Sequence, residues 1–166
     1  MRVDEKKDIQ VRPSWDEYFL KITEDVGSRG TCDRGHAGSI IVKNNRIIST
    51  GYAGAPSGLP SCDDIGHEMQ TVITEDGTES RHCIRTAHAE QNAINNAARI
   101  GIAIEGGTLY CKMTPCYKCA QSIINSGIIR VIASKDYHGG DRTKDIFKKT
   151  NIKLEILGLM ETYKDM

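Results

Sequence analysis

No charge of either sign predominates in this 166-residue sequence: 22 Lys and Arg balance 22 Asp and Glu. The broad basic footprint of a nucleic-acid binder is therefore missing, which leaves room only for a local basic groove. Long apolar runs are absent too. Stretches such as Val131-Ile132-Ala133 fall far short of the ~20 residues that span a bilayer. The segment from Met1 to Asp8 is charged and carries no extended apolar core. A secretory signal is therefore not expected, and a cytoplasmic, reducing setting is. Internal repeats and low-complexity tracts are likewise lacking. With 39% hydrophobic and 27% charged residues, the composition is that of a folded globular protein. A chain of this length suits one domain that buries roughly 70% of its surface without disulfide staples. The organisation expected is a loose arm over residues 1–12 and a single domain over 13–166. Six cysteines in a reducing compartment point to metal binding or catalysis before disulfides.

Ser14-Trp15-Asp16-Glu17 has the pattern of a capping box, Ser at the N-cap and Glu three residues on. Trp15, Tyr18 or Phe19, Ile22 and Val26 follow at helical spacing and predict a core-facing helix over 15–27. Two β-rich runs, Ala37–Lys43 and Arg46–Tyr52, flank Asn44-Asn45, a tight-turn pair because Asn tolerates positive φ. Residues 54–85 show little periodicity, so something other than regular structure is expected to order them. Beyond them the spacing predicts a helix over 87–99 closed by Gly101, and a strand over 108–112. A helix opened by Pro115 in its first position comes next, then strands over 128–134 and 152–158 either side of a charged helix over 141–150. Strands alternating with helices imply parallel pairing, and the opening hairpin makes the sheet mixed. The fold class expected is α/β: a three-layer α/β/α sandwich with a mixed five-stranded sheet.

Two short segments carry chemistry: His88-Ala89-Glu90 and Pro115-Cys116-Tyr117-Lys118-Cys119, each at a predicted helix start. Cysteines three apart share one helix face, and a helix N-terminus favours thiolates. A His from a neighbouring helix start completes a Cys2His set, which suits zinc and leaves a fourth position for water. Glu90 is not needed as a ligand and can move protons between that water and a leaving group. His-x-Glu followed by Cys-x-x-Cys is the signature of zinc deaminases. Hydroxide attacks C4 of a pyrimidine, protonation of N3 makes that carbon electrophilic, and ammonia leaves once its nitrogen is protonated. A structural zinc in a non-catalytic interaction module is the reading of another class, and there Glu90 has no task.

The chain resembles the deoxycytidylate (dCMP) deaminases from about Trp15 to Gly158, within the cytidine/deoxycytidylate deaminase superfamily. The segments that carry the resemblance are Gly51–Cys62, Cys83–Ile94 and Pro115–Ala120. It implies a cytidine deaminase-like fold and hydrolysis of dCMP to dUMP and ammonia. Other bases of the same kind, in dCTP, cytidine or tRNA adenosine, are the alternatives. It implies a catalytic zinc on His88, Cys116 and Cys119, with Glu90 as proton shuttle. Cys32, Cys62 and Cys83 match positions that hold a second, structural zinc in many relatives, with His67 or else His82 as fourth ligand, and this zinc is the organiser expected for 54–85. Tyr137, just past a predicted strand end, matches an aromatic that stacks on the base. Ala53, Gly54, Ser57 and Ala89 fall at substrate-facing positions; Ser57 and the turn at Gly54 offer donors to a 5′-phosphate. Relatives usually carry Gly-Tyr-Asn-Gly where this chain has Gly51-Tyr52-Ala53-Gly54. By the same resemblance the protein is a homo-oligomer, a hexamer in many relatives, with dCTP and dTTP as effectors and Arg99 at an effector or subunit contact. Cys111 is expected in the core.

Overall fold

The computed structural model describes residues 12–73, 77–158 and 160–161. Most of the arm expected over 1–12 therefore lies outside the described residues.

Ser14 caps helix α1 (Trp15–Gly27) as its sequence requires. The Glu17 backbone N–H donates to Ser14 Oγ at 3.2 Å, and the Ser14 backbone N–H donates to Glu17 Oε2 at 2.7 Å. Phe19 is the deeply buried aromatic of this helix, whereas Trp15 and Tyr18 are 53% and 45% exposed. The core face is thus narrower than expected, because among the described residues α1 meets the sheet through the strip around Phe19. Strands β1 (Gly38–Lys43) and β2 (Arg46–Tyr52) form the expected hairpin. Asn44 and Asn45 take φ of 51° and 55° at its turn.

Residues 54–85 hold more regular structure than their composition predicts. A short helix α2 (Cys62–Ile65) leads to an antiparallel pair, β3 (Met69–Ile73) and β4 (Glu79–Cys83). This excursion has mostly exposed side chains, so no hydrophobic period marks it in the sequence.

Helix α3 (Ala89–Ile100) closes on Gly101 in the left-handed region, φ 73°. Strand β5 (Thr108–Met113) follows, then α4 (Tyr117–Asn125), β6 (Arg130–Tyr137), α5 (Asp141–Lys149) and β7 (Lys153–Ile156). Cys116, not Ser or Thr, is the N-cap of α4, so Pro115 sits just outside the helix rather than in its first position. Tyr137 is the last residue of β6 rather than a loop residue.

The sheet runs β2-β1-β5-β6-β7, antiparallel across β2-β1-β5 and parallel across β5-β6-β7. That is the mixed five-stranded sheet expected; a two-residue strand β8 (Met160–Glu161) adds to β6 in parallel. Alternation splits the core into two layers. Ile41, Leu109, Cys111, Val131 and Ala133 pack with α3, α4 and α5. Ile40, Val42, Tyr110 and Ile132 pack with Phe19 of α1. Among the described residues no helix is long and apolar enough to cross a membrane.

Two features aim this scaffold. A Cβ at Gly51 would come within 2.2 Å of Ala93 N and 2.4 Å of Ala89 O. Glycine thus lets the first turns of α3 lie directly on β2. The carboxyl ends of β5 and β6 run straight into the segment before α4 and into Tyr137, and the carboxyl edge of parallel strands is where such sheets bind ligands.

Candidate active site and metal-binding clusters

His88 is the N-cap of α3 and Cys116 the N-cap of α4, so the two helix starts face one another. His88 Nδ1 lies 3.5 Å from Cys116 Sγ and 3.4 Å from Cys119 Sγ. Tetrahedral zinc with ordinary Zn–S and Zn–N bonds separates N and S by about 3.5 Å, so the three donors fit that ion. Hydrogen bonds from Cys119 and His88 hold the Cys116 thiol down to about 4, and the Cys116 bond pushes His88 up to about 9. Cys119, donating to that thiolate and buried, is pushed up. The cluster therefore favours an anionic sulfur, the form in which cysteine binds a metal.

Glu90, one turn-face away on α3, receives the Cys119 thiol at 3.8 Å. Burial raises its carboxyl above the ordinary range, against the opposing pull of His88. That is the shift a proton carrier near neutral pH needs. Ala53, Ala89, Glu90, Cys116 and Tyr137 line one cavity above the cluster. Gly54 and Ser57 do not. Gly54 is buried in a backbone bridge with Ala87, and Ser57 is exposed in the following turn. Arg99 lies exposed in the last turn of α3, also outside the cavity.

A second cluster joins Cys32, Cys62, His67 and Cys83, whose ligand atoms all lie within 4.8 Å of one another. Cys32 Sγ is 3.6 Å from His67 Nδ1, and Cys62 Sγ is 3.5 Å from Cys83 Sγ. Burial pushes the Cys62 thiol up to about 11. Burial also opposes ionisation of Cys83, yet the Glu68 and Arg85 backbone N–H groups and the Cys62 thiol bring it down to about 6. His67 Nε2 meets Asp33 at 2.9 Å, the carboxylate partner that orients a ligating imidazole. His82 is absent from this group: it lines the cavity and bonds Ser80. Cys111 is buried, its thiol donating to Met113 O.

Three cations that the sequence reading passed over also line the cavity: Arg34, Arg81 and Lys112. Arg34 Nη2 donates to Arg81 O at 3.3 Å, and Lys112 Nζ donates to Gly35 O at 2.8 Å. Among the described residues no carboxylate pairs with any of them. The signal was present, since Arg34 and Arg81 each stand two positions from a cysteine of the second cluster.

The family described as the cytidine and deoxycytidylate deaminase zinc-binding region matches residues 13–135. The chain belongs to this deaminase family. Its relatives include ComE operon protein 2 of Bacillus subtilis, 33% identical over 93% of this chain and 77% of that protein. The deoxycytidylate deaminase of Mycobacterium phage D29 is 36% identical over 75% of this chain and 98% of that enzyme. Against the deoxycytidylate deaminases of two yeasts, the chain spans only 47% and 44% of their length. Among solved structures, the dCMP deaminase from cyanophage S-TIM5 in complex with dCMP and dUMP matches with a TM-score of 0.71. It is 28% identical, over 88% of this deaminase chain and 98% of the phage chain. The Cys/His cluster at the starts of α3 and α4 falls inside the matched zinc-binding region.

Proposed function

We propose that this chain hydrolyses dCMP to dUMP and ammonia with a zinc ion held by His88, Cys116 and Cys119. The observation that carries the reading is a buried carboxyl, Glu90, 3.8 Å from a sulfur of a three-donor cluster at the floor of a cavity. Zinc bound there supplies Lewis acidity that brings a ligated water to a pKa of about 7. Glu90 accepts a proton from the attacking water and delivers it to N3 of the cytosine; it then takes the proton of the new C4 hydroxyl and passes it to the departing nitrogen as the C4 carbonyl forms. One carboxyl serves both transfers because both nitrogens belong to the same amidine. The Tyr137 ring forms a wall for the pyrimidine, and the small side chains of Ala53 and Ala89 leave room for it.

The cavity cations, which have no carboxylate partner among the described residues, favour a nucleotide over a nucleoside. Arg34, Arg81 and Lys112 converge on the cavity in a chain of zero net charge, and charge-assisted bonds to phosphate oxygens would give each of them an anionic partner. This assigns the 5′-phosphate to those side chains rather than to Ser57 and the turn at Gly54.

A closed, four-donor second zinc on Cys32, Cys62, His67 and Cys83 belongs to the same reading, supported by the donor set and the Asp33 contact. It also includes a cytoplasmic setting, a homo-oligomer of hexameric form, and dCTP and dTTP as effectors. The exposure of Arg99 at the end of α3 suits the contact proposed for it. The test is a substrate panel followed by ultraviolet absorbance. Zinc-loaded protein is expected to deaminate dCMP well ahead of deoxycytidine; a preference for the nucleoside would remove the phosphate assignment.

A further inference from the structure

Asp136 lies at the end of β6, next to Tyr137, with its side chain only 17% exposed. It does not line the cavity, yet it binds two residues that do. Its Oδ1 accepts from Thr114 Oγ1 at 2.9 Å and from the Tyr137 backbone N–H at 2.9 Å. Its Oδ2 accepts from Lys144 Nζ at 2.7 Å, from the first turn of α5. Thr114 is buried, stands two residues before Cys116, and donates its backbone N–H to Lys135 O at 3.0 Å. The neighbouring Thr143 donates to Pro115 O at 2.8 Å. On the other side a Cβ at Gly139 would come within 2.8 Å of the Tyr137 ring, so the ring has a close backstop.

We infer that Asp136 is a positioning residue of the substrate cavity, fixing the Tyr137 wall relative to the Thr114-Pro115-Cys116 segment that presents a metal ligand. A carboxylate suits this task because it offers acceptors in both directions and no donor. Asparagine cannot replace it. If its NH2 takes the place of Oδ2 it faces the Lys144 ammonium, and if it takes the place of Oδ1 it faces the Thr114 hydroxyl and the Tyr137 N–H. Asp136 acts on substrate only through these neighbours. Its loss therefore loosens the alignment of the pyrimidine against the floor of the cavity while leaving the three metal donors in place.

The inference rests on the deaminase reading, and steady-state kinetics on the zinc-loaded full chain tests it. Asp136→Asn and Thr114→Val, the latter isosteric, are each expected to raise KM for dCMP about fivefold or more with zinc content unchanged. The double variant is expected to be no worse than about twofold beyond the stronger single change, because both break one link. Thr114→Ser, which keeps the hydroxyl, is expected to recover most of the loss seen with valine. Lowered unfolding temperatures with unchanged kcat and KM would overturn the inference, as would single effects that multiply in the double variant. Should Asp136→Asn fail to fold, equal KM values for the serine and valine variants at 114 overturn it. A wild-type chain that leaves dCMP unchanged overturns the deaminase reading and this inference with it; an active wild type with indifferent variants overturns this inference alone.

Discussion

The Glu90 carboxyl and the Cys119 sulfur stand 3.8 Å apart across the starts of two helices, although 29 positions separate them in the chain. A carboxyl so close to a cysteine of the three-donor cluster, and raised by burial, suits the proton transfers proposed for it. Glu90→Gln keeps the shape and removes the titrating oxygen. It is expected to retain fold and zinc while kcat falls about 10²–10⁴-fold or more. Paired metal analysis and absorbance assays check this, and retained turnover would reject the shuttle.

The cations of the cavity give a separate prediction. Arg81→Ala or Arg34→Ala removes a charge-assisted contact worth about 1.5–3 kcal/mol, so KM for dCMP is expected to rise by about tenfold or more. Turnover of deoxycytidine, which carries no phosphate, is expected to change little. Initial rates on both substrates decide the matter, and equal losses on the two would assign the arginines a structural task.

Metal stoichiometry separates the two clusters. Elemental analysis is expected to find two zinc ions per wild-type chain and one in His67→Ala, with a lower unfolding temperature. His82→Ala is expected to keep both, since His82 faces the cavity and not the second cluster. A single zinc in the wild type that His67→Ala leaves in place would remove the second metal site from the account.

Away from the site, Asp16 ties α1 to the sheet. Its carboxylate accepts Arg130 at 3.1 and 2.9 Å and Tyr110 Oη at 2.7 Å. The Arg130 bonds, chief among the causes, hold Asp16 below its ordinary 3.8, and Arg130 also lowers Glu155. A folded-state pKa below the unfolded one gives stability that is full above the unfolded value and lost as pH falls through the folded one. Thermal unfolding is therefore expected to occur at lower temperature as the pH drops below about 4. Asp16→Asn is expected to cost about 1–3 kcal/mol at pH 7 and to flatten this acid dependence. An unaltered pH profile in the variant would remove Asp16 from the account.

Helix, strand and metal motifs were legible where local chemistry leaves a local mark. The Ser14–Glu17 box, the Asn44-Asn45 turn and the Cys-x-x-Cys after Pro115 each act over a few residues. The residues of the three-donor cluster are legible as well, because helix starts and ligand spacing are visible in one dimension. The β3–β4 pair escaped it. Its side chains are exposed or half-buried and mostly polar, and without a buried apolar face there is no hydrophobic alternation to read. Trp15 misleads for the opposite reason: its spacing fits a helix face, but the buried strip of α1 centres on Phe19, which resolves the open choice between Tyr18 and Phe19. For Arg34 and Arg81 the sequence offers only their nearness to Cys32 and Cys83; their convergence with Lys112 is made by three separate segments meeting over one cavity. Asp136 gave no motif at all, since its partners come from the ends of β5 and β6 and from α5.

The most direct measurement follows dCMP, dUMP and ammonia together in purified protein that carries zinc at His88, Cys116 and Cys119. The account predicts one dUMP and one ammonia for each dCMP consumed, with turnover lost on removal of that zinc and regained on its return. Unchanged dCMP in fully zinc-loaded protein would contradict it.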